Sequence, residues 1–381
     1  PIPTIIAVGV ANPKAQGQPV KKTLTALLMA AAVPCAASAT SVTLYGVVDV
    51  NLSHFRQDGG AKTTGLNSGG LAGSRFGLRG VEKLNEDLDV IFTLEGGFDL
   101  NTGESSQGGR LFGRQSFVGL KSKTYGTVTA GRLQGLGYRF SGEFDPMMMA
   151  PGSVIGSLTG ESPRAWMYNP LGDPARMDNA VLYVSPKISN FEFGYQHGFR
   201  GKERVPGVRN KSFDLASLTY DDGTLRVSYG FGHSSATTDN SPATSKHTEH
   251  ALGVRYTFPW ATLFGTYQIR KTHGYSGTDH AWQFGARVPV SAAGAVHMAY
   301  GRMNNETPFS NAPDTDDYGV RTWAVGYVHT LSKSTMLYSY FKQLKNHGNS
   351  RQTIFPPSGM PSPDRLHAKA TAFGVGIHHR F

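Results

Sequence analysis

The stretch Phe373–Phe381, FGVGIHHRF, alternates between two kinds of side chain up to the last residue of the chain. Its odd-numbered positions are mostly apolar or aromatic, whereas its even-numbered positions are glycine, histidine or arginine. Successive side chains of a β-strand point to opposite faces, so this stretch predicts a strand with one apolar face. A strand that ends on an aromatic residue is typical of a transmembrane β-barrel, in which the last strand pairs with the first and leaves no open edge.

The beginning of the chain predicts export. Lys21 and Lys22 precede the apolar run 24–33, and the small residues 37–39 follow it. A basic region, an apolar region and a small-x-small site in this order are typical of a secretory signal peptide, here with its core at 20–39. A short buried helix is the alternative interpretation of the same run.

We interpret residues 1–20 as an upstream extension, because they do not fit a signal peptide. Residues 1–39 together are then expected to be absent from the mature protein, and residues 40–381 to form one barrel domain. Cys35 is the only cysteine and lies in the signal, so the mature chain is expected to have no disulfide, no cysteine-ligated metal and no cysteine nucleophile.

Composition narrows the class further. The mature chain contains no run close to the roughly 18 apolar residues that a membrane-spanning helix needs. The formal charge falls from +10 to +7 when residues 1–39 are removed, because they carry three lysines and no acid. Such an excess fits nucleic-acid contact, but in an exported barrel an interior that attracts anions explains it better. We therefore expect no nucleic-acid partner.

Alternating segments continue along the mature chain from Val42–His54 to Leu366–Phe381, and about sixteen strands can be traced. Tight turns such as 123–124 alternate with long polar connections such as 57–73 and 234–246. Short turns on one side and long loops on the other are typical of outer-membrane barrels. The sequence therefore predicts an all-β fold, a 16-stranded antiparallel transmembrane β-barrel.

Five segments carry a resemblance to a known family. They are SVTLYGVVD at 41–49, SRFGLRG at 74–80, FGRQSFVGL at 112–120, YGTVTAGR at 125–132 and the last strand at 374–381. The chain resembles the general diffusion porins of Gram-negative bacteria, in particular those of β-proteobacteria such as Neisseria, Bordetella and Burkholderia. The resemblance implies a trimeric pore whose third external loop folds inward and narrows the channel.

The longest connection, Gln134–Ala175, corresponds to that inward-folded third external loop. A structureless connection of this length in a compact domain is usually functional. It carries Glu143 and Asp145, which we expect to form the acidic side of the constriction. Solvated loop charges are the alternative, and for Glu161 and Asp173 this alternative is favoured.

Strand alternation predicts basic residues on the interior face. Arg75 and Arg79 lie opposite the apolar Phe76, and Arg114 lies opposite Phe117, which is expected to face lipid. A cation on the lipid face costs about 2–4 kcal/mol near the membrane centre, so the inward orientation is cheaper. Interior packing against neighbouring acids is the alternative role for these arginines.

Arg176 is likewise predicted to point inward, opposite Met177, and Arg132 is a weaker candidate. The resemblance places pore arginines at positions matching Arg75, Arg114 and Arg176. Arginines on the wall facing acids on the loop would create a transverse field across a narrow aqueous slot.

The sequence therefore predicts an outer-membrane channel for passive diffusion of small hydrophilic solutes and ions, with a weak preference for anions. A substrate-specific porin is the nearest alternative, and a barrel enzyme or adhesin is a more distant one. No hydrolase or phosphate-binding motif is present, and His378 and His379 alternate faces, so we expect no catalytic residue, cofactor or metal.

The resemblance also implies partners. These are two further copies of the chain in a homotrimer, the outer-membrane lipids with lipopolysaccharide, and the barrel assembly machinery. In the family that machinery reads the terminal aromatic residue, here Phe381. All of these expectations place the protein in the outer membrane of a Gram-negative bacterium.

Overall fold

The first and last strands of the chain pair with each other and close a barrel. Strand β1 (Ser41–Gln57) runs antiparallel to the last strand (Lys369–Arg380), with Val50 opposite Ile377. The computed structural model describes residues 41–59, 62–147, 152–154, 156, 176–199, 210–238, 241–274, 277–306, 318–354 and 365–381. The described part lies within one compact unit, 39–381, and the predicted signal peptide lies outside the described residues.

Seventeen strands and two short helical segments occur within the described residues. The helical segments are α1 (Ser106–Gly109) and α2 (Leu136–Phe144). None of the described helices is long and apolar enough to cross a membrane. The strands after β1 are β2 (Lys62–Ser68), β3 (Arg75–Lys83), β4 (Leu88–Gly97), β5 (Gln115–Ser122), β6 (Gly126–Gln134), β7 (Arg176–Val184), β8 (Phe191–Gly198), β9 (Asn210–Asp221), β10 (Leu225–Thr238), β11 (Ser241–Thr257), β12 (Thr262–Thr272), β13 (Thr278–Pro289), β14 (Gly294–Asn305), β15 (Tyr318–Thr330), β16 (Thr335–Gly348) and β17 (Lys369–Arg380).

The seventeen strands fill sixteen positions around the barrel. β2 pairs with the second half of β1, from Val50 to Arg56, whereas β3 pairs with its first half, from Ser41 to Val47. β2 and β3 are therefore two pieces of one barrel strand, separated by the detour 69–74. The predicted 16-stranded antiparallel barrel is confirmed, with each strand hydrogen-bonded to its neighbours in the ring.

Two predicted connections are shorter than the sequence indicated. The segment 57–73 was expected to be a loop, but it contains β2, whose polar residues hide the alternation of a strand. The segment 234–246 was also expected to be a loop, yet β10 and β11 continue their pairing to Thr238 and Ser241. Serine and threonine are the reason for the second error, because they fit both a strand end and a loop.

Alternation separates the two faces of the barrel. On β15, Trp323, Val325 and Tyr327 are exposed on the outside, whereas Val320 and Ala324 are buried on the inside. Large exposed apolar side chains recur on the same parity around the ring. This is the apolar outer surface that a barrel presents to lipid.

Candidate functional site

Basic residues line the interior face of β3. Phe76 is exposed on the outer face, so Arg75 and Arg79 lie on the interior parity of the strand, as predicted. The guanidinium of Arg79 stacks over the ring of Tyr45, 3.9 Å from its centroid. The Tyr45 hydroxyl in turn donates to Glu95 Oε2 at 2.9 Å. The contacts of Tyr45 with Arg79 and Glu95 therefore link β1, β3 and β4 on the interior side where these arginines lie.

Arg114 and Glu95 form a buried ion pair. Arg114 Nε donates to Glu95 Oε1 at 2.8 Å, and both side chains are about 5% exposed or less. Arg114 Nη2 is buried and has no hydrogen-bond partner. A buried donor without a partner is costly, so Glu95 compensates the Arg114 guanidinium only in part.

The predicted parity around Arg114 is wrong, although its inward position is right. β5 begins at Gln115, after a bend, and not at the predicted Leu111. Phe117 packs against an interior apolar cluster, whereas Val118 is 57% exposed on the outer face. Arg114 reaches the interior because it lies in the bend, where strand alternation does not apply.

Arg176 lies in the same group of charged side chains, because it contacts Tyr138 of helix α2. Its guanidinium lies 5.4 Å from the ring centroid of Tyr138, and its Nε is buried without a partner. Burial raises the pKa of the Tyr138 phenol, but the charges of Arg114, Arg176 and Arg75 outweigh burial and hold that pKa below its usual value. We call Arg75, Arg114 and Arg176, with Glu95 and Tyr138, the arginine cluster.

Met177 was predicted to face outward, but it is buried in the interior cluster of apolar side chains. The reason is a bulge, because Asp178 and Asn179 of β7 both face the single residue Arg132 of β6. Asn179 has a φ of 51°, which turns the strand, so that Met177 and Ala180 both point inward.

Arg132 lies at this bulge and outside the arginine cluster. Its Nε donates to the Gly113 carbonyl at 2.7 Å, and its Nη1 pairs with Asp178. The same carboxylate pairs with Arg110 at 2.7 Å. The charge of Arg132 is therefore engaged in a local network with Asp178 and Arg110.

The connection after β6 packs against the interior wall. The apolar side of α2, formed by Leu136, Phe140 and Phe144, is buried against β8 to β12. Interior glycines leave space for it and for the residues that follow. Added Cβ atoms would contact Leu136 from Gly194, Phe144 from Gly253, Pro146 from Gly285 and Met147 from Gly326.

Glu143 and Asp145 of this connection do not face the arginine cluster, and Glu161 and Asp173 lie outside the described residues. Glu143 pairs with Arg255 at 2.9 Å and with Arg226 at 3.0 Å, on strands β11 and β10. Asp145 is fully buried, and its Oδ1 accepts from the Met147 backbone at 2.9 Å. The predicted role of Asp145 as an acid lining the slot is therefore wrong, since its carboxylate caps the chain after α2.

Arg287 anchors the same segment from β13. Its Nε donates to the Pro146 carbonyl at 2.9 Å and its Nη2 to the Asp145 carbonyl at 2.8 Å. Gln283 donates to the Phe144 carbonyl at 3.0 Å. Residues 136–147 thus lie on the interior face. The inward fold of the whole connection stays a prediction, since most of 148–175 lies outside the described residues.

A second interior site lies where the barrel closes. The Asp49 carboxylate accepts from the backbone of residues 70–72 at 2.6–3.0 Å, from the Tyr338 hydroxyl at 2.6 Å and from His378 Nδ1 at 2.9 Å. We call Asp49, Tyr338, His378 and residues 70–72 the closing cluster. It ties β1 to the detour before β3 and to the last two strands.

Sequence reasoning missed several interior residues, although a signal was present for most of them. Arg255 lies between the exposed Val254 and Tyr256 of β11. Glu95, Arg226 and Arg287 share their strand faces with the buried polar residues Thr93, Ser228 and Gln283. Arg226 and Arg255 are also directly opposite each other. Tyr138 has no comparable signal, because its position depends on how α2 packs.

Comparisons with known proteins agree with this architecture. The family described as Gram-negative porin matches residues 23–349. The chain is 31% identical to outer membrane porin protein 32 of Delftia acidovorans and 28% identical to an outer membrane porin protein of Bordetella pertussis, with 95% of this chain and 100% of each relative covered. An anion-selective porin from Comamonas acidovorans has a similar structure, with a TM-score of 0.76 at 27% identity over 90% of this chain and 100% of that one. The chain therefore belongs to the Gram-negative porin family.

Proposed function

We propose that this outer-membrane porin is a passive diffusion channel with a weak preference for anions, set by the arginine cluster. The observation that carries the proposal is the charge balance of that cluster. Glu95 neutralises Arg114, and no carboxylate among the described residues pairs with Arg75 or Arg176. Rings of arginine in a pore favour anions.

The unpartnered donors support the same assignment. Arg114 Nη2 and Arg176 Nε are buried and lack a hydrogen-bond partner, so no acceptor among the described residues offsets the positive charge at these two atoms. Glu143 does not cancel this effect, since it is shared by Arg226 and Arg255 on β10 and β11. The porin from Comamonas acidovorans is described as anion-selective, which fits the proposed preference.

We infer that the connection 134–175 narrows the channel. Residues 136–147 are held against the interior wall by Gln283 and Arg287, and their apolar side chains are buried there. A segment anchored in this way occupies part of the cross-section of the barrel. Solutes would therefore pass beside α2, whose Tyr138 lies next to the arginines of the arginine cluster.

The remaining expectations complete the proposal. The signal peptide is removed after residue 39, the mature chains form a homotrimer, and Phe381 serves as the terminal signal for the barrel assembly machinery. Backbone hydrogen bonds join Phe381 to Gly46 in both directions, at 3.0 and 3.2 Å, which fits a role at the closing seam. The protein has a transport role and no enzymatic one.

Planar-bilayer recording tests this function. Purified protein should give steps of ohmic current, and a potassium chloride gradient should give a zero-current potential of the sign for anion preference. A channel of opposite sign would contradict the selectivity, and the absence of current would contradict the function. Unheated electrophoresis should show a species of about three chains, following the closed symmetry usual for oligomers.

A further inference from the structure

The last long connection, 349–368, begins by folding back against the inside of the barrel. Three alternate residues near its start, Ser350, Gln352 and Ile354, are all buried, at 5% exposure or less. A loop that extended from the rim into water would expose these positions, so one side of this segment packs on the protein. We call residues 349–354 the mouth segment, because they lie at the end of the barrel that carries the long connections.

Asn346 of β16 holds the mouth segment in place. It lies on the inner parity of its strand and is fully buried. Its Nδ2 donates to the Gln352 carbonyl at 2.8 Å and to the Ala368 carbonyl at 3.0 Å. Its Oδ1 accepts from the Ser350 hydroxyl at 2.9 Å and from the Gln352 backbone at 2.8 Å. One side chain therefore joins the two ends of the connection through four hydrogen bonds.

The mouth segment crosses the inner wall from β16 to β1. The Thr353 hydroxyl donates to Gln57 Oε1 of β1 at 2.6 Å. Ile354 is buried in an interior apolar cluster that includes Phe55, also on β1. Strand β17 lies between β16 and β1, and its inner residue Ala370 is small and buried. Neighbouring strands are about 4.8 Å apart, so the segment covers about 10 Å of the wall.

The alternation within the mouth segment turns Arg351 away from the wall. Its neighbours Ser350 and Gln352 are buried, whereas Arg351 is exposed. Among the described residues, no carboxylate forms an ion pair with Arg351. Its positive charge therefore faces the aqueous opening of the barrel.

We propose that the mouth segment narrows the external opening of the channel and holds Arg351 there as a charge that attracts anions. This inference rests on the proposed diffusion channel and adds a selectivity residue outside the arginine cluster. A segment on the inner wall reduces the free cross-section, and a cation at the opening raises the local concentration of anions. Asn346 is a positioning residue, because it acts through the mouth segment.

The zero-current potential in a potassium chloride gradient tests the role of Arg351. At 0.1 M salt, Arg351→Gln should shift the potential toward cation preference, and the shift should fade at 1 M, where the screening length is about 3 Å. The matched control is Arg365→Gln, which removes the same charge from the far end of the connection, 3.8 Å from the Asp58 carboxylate. The control should shift the potential less. No shift for Arg351→Gln, or equal shifts for the two variants, would overturn the proposal.

Releasing the mouth segment tests whether its position matters. Asn346→Leu removes the four hydrogen bonds and should raise single-channel conductance by at least about 1.3-fold, because the opening widens. In this background, Arg351→Gln should produce less than about half of its shift in the wild type, since the two changes are coupled through the segment. Unchanged conductance or fully additive shifts would overturn the proposal.

Gln352→Met is the matched control for this release. The side-chain amide of Gln352 has no hydrogen-bond partner among the described residues, and only its backbone is bonded to Asn346. The control should therefore keep the conductance of the wild type. An increase equal to that of Asn346→Leu would show that the four hydrogen bonds do not position the segment.

Thiol labelling follows the mouth segment independently of current. The mature chain is expected to lack cysteine, so Ile354→Cys supplies its only thiol. A membrane-impermeant maleimide should label this thiol at least about tenfold faster when Asn346→Leu is added, because the segment then opens locally. Equal labelling rates would overturn the proposal. If Asn346→Leu does not fold, Ile354→Gln replaces it in the recordings, since a buried amide without partners is unfavourable and should release the segment.

The two proposals fail in different ways. A wild type without current would contradict the proposed channel, and labelling would still report whether the mouth segment is held against the wall. Wild-type current of the expected sign, combined with additive shifts, would contradict the role of the mouth segment and leave the channel function intact.

Discussion

The arginine cluster and the closing cluster both lie on the interior face, but they satisfy their polar groups in opposite ways. In the closing cluster, one carboxylate receives five hydrogen bonds, so Asp49 is saturated. In the arginine cluster, one carboxylate faces three guanidiniums, and two buried donors have no partner. The closing cluster fits a structural role, and the arginine cluster fits the proposed role in ion selectivity.

The outer face shows no such division. Exposed apolar side chains occur all around the barrel, because lipid imposes the same requirement on every strand. The differences between the two interior clusters therefore arise from their roles, which are barrel closure for the closing cluster and the proposed channel function for the arginine cluster. The stability and the selectivity of the barrel should therefore change separately when residues of one or the other cluster are replaced.

Replacing Gln134–Ala175 with a short glycine-rich link should have the largest effect. Removing the segment that packs on the interior wall should raise single-channel conductance by about twofold or more, because a wider pore offers less resistance. Bilayer recording measures this, and unchanged conductance would place the narrowest point elsewhere. The closing cluster is untouched, so the barrel should still assemble.

Tyr338→Phe should weaken the barrel without changing its selectivity. The hydroxyl donates to the Asp49 carboxylate at 2.6 Å, and a hydrogen bond to a charged group contributes about 1.5–3 kcal/mol. The matched control is Tyr327→Phe, on the outer face, whose hydroxyl contacts His329. Urea unfolding should show the larger loss for Tyr338→Phe. A shifted zero-current potential with no loss of stability would contradict the assignment of a structural role to the closing cluster and of selectivity to the arginine cluster.

Gly253→Ala should disturb the packing of α2 against the interior wall. An added Cβ would lie 2.5 Å from the ring of Phe144, so the helix must move or the strand must shift. Overpacking of this kind costs about 1–3 kcal/mol. Gly265→Ala is the matched control, because its Cβ would meet only ordinary contacts at 3.4 Å. Equal unfolding free energies and conductances for both variants would show that α2 does not depend on this contact.

Among these variants, Glu143→Gln should change ion selectivity the least, and the direction of the change is defined. It leaves Arg226 and Arg255 without the carboxylate that they share, so the preference for anions should increase slightly. Glu143 is 41% exposed, and salt screens such charges over about 10 Å at 0.1 M. The zero-current potential at low salt measures the change. A shift toward cations would contradict the charge assignment.

The parts of the fold that repeat were predictable, and the irregular parts were not. Alternation at Phe373–Phe381 predicted the closing strand, because lipid and interior demand different residues at every second position. It failed at Phe117 and Met177, where a bend and the bulge at Asn179 reset the parity. Irregular backbone of this kind leaves little trace in the spacing of apolar residues.

The orientation of some site residues was predictable from the same strand alternation. Arg75 and Arg79 lie on a regular strand, so alternation alone gave their face. The pairing of Arg114 with Glu95 and the position of Tyr138 depend on tertiary packing, which no local pattern encodes. Asp145 looked like a pore acid by its place in the loop, but its burial follows from the anchoring of residues 144–146 to β13.

The zero-current potential of Arg75→Gln/Arg176→Gln tests the central claim most directly. These two arginines have no carboxylate partner among the described residues, so the variant keeps the Arg114–Glu95 pair. The control Lys123→Gln/Lys333→Gln removes two exposed lysines from tight turns. At 0.1 M salt, the zero-current potential of Arg75→Gln/Arg176→Gln should shift toward cation preference relative to the wild type and to this control. The shift should fade at 1 M, where the screening length is about 3 Å. No shift at low salt, or a shift equal to that of the control, would show that the arginine cluster does not set the selectivity of the channel.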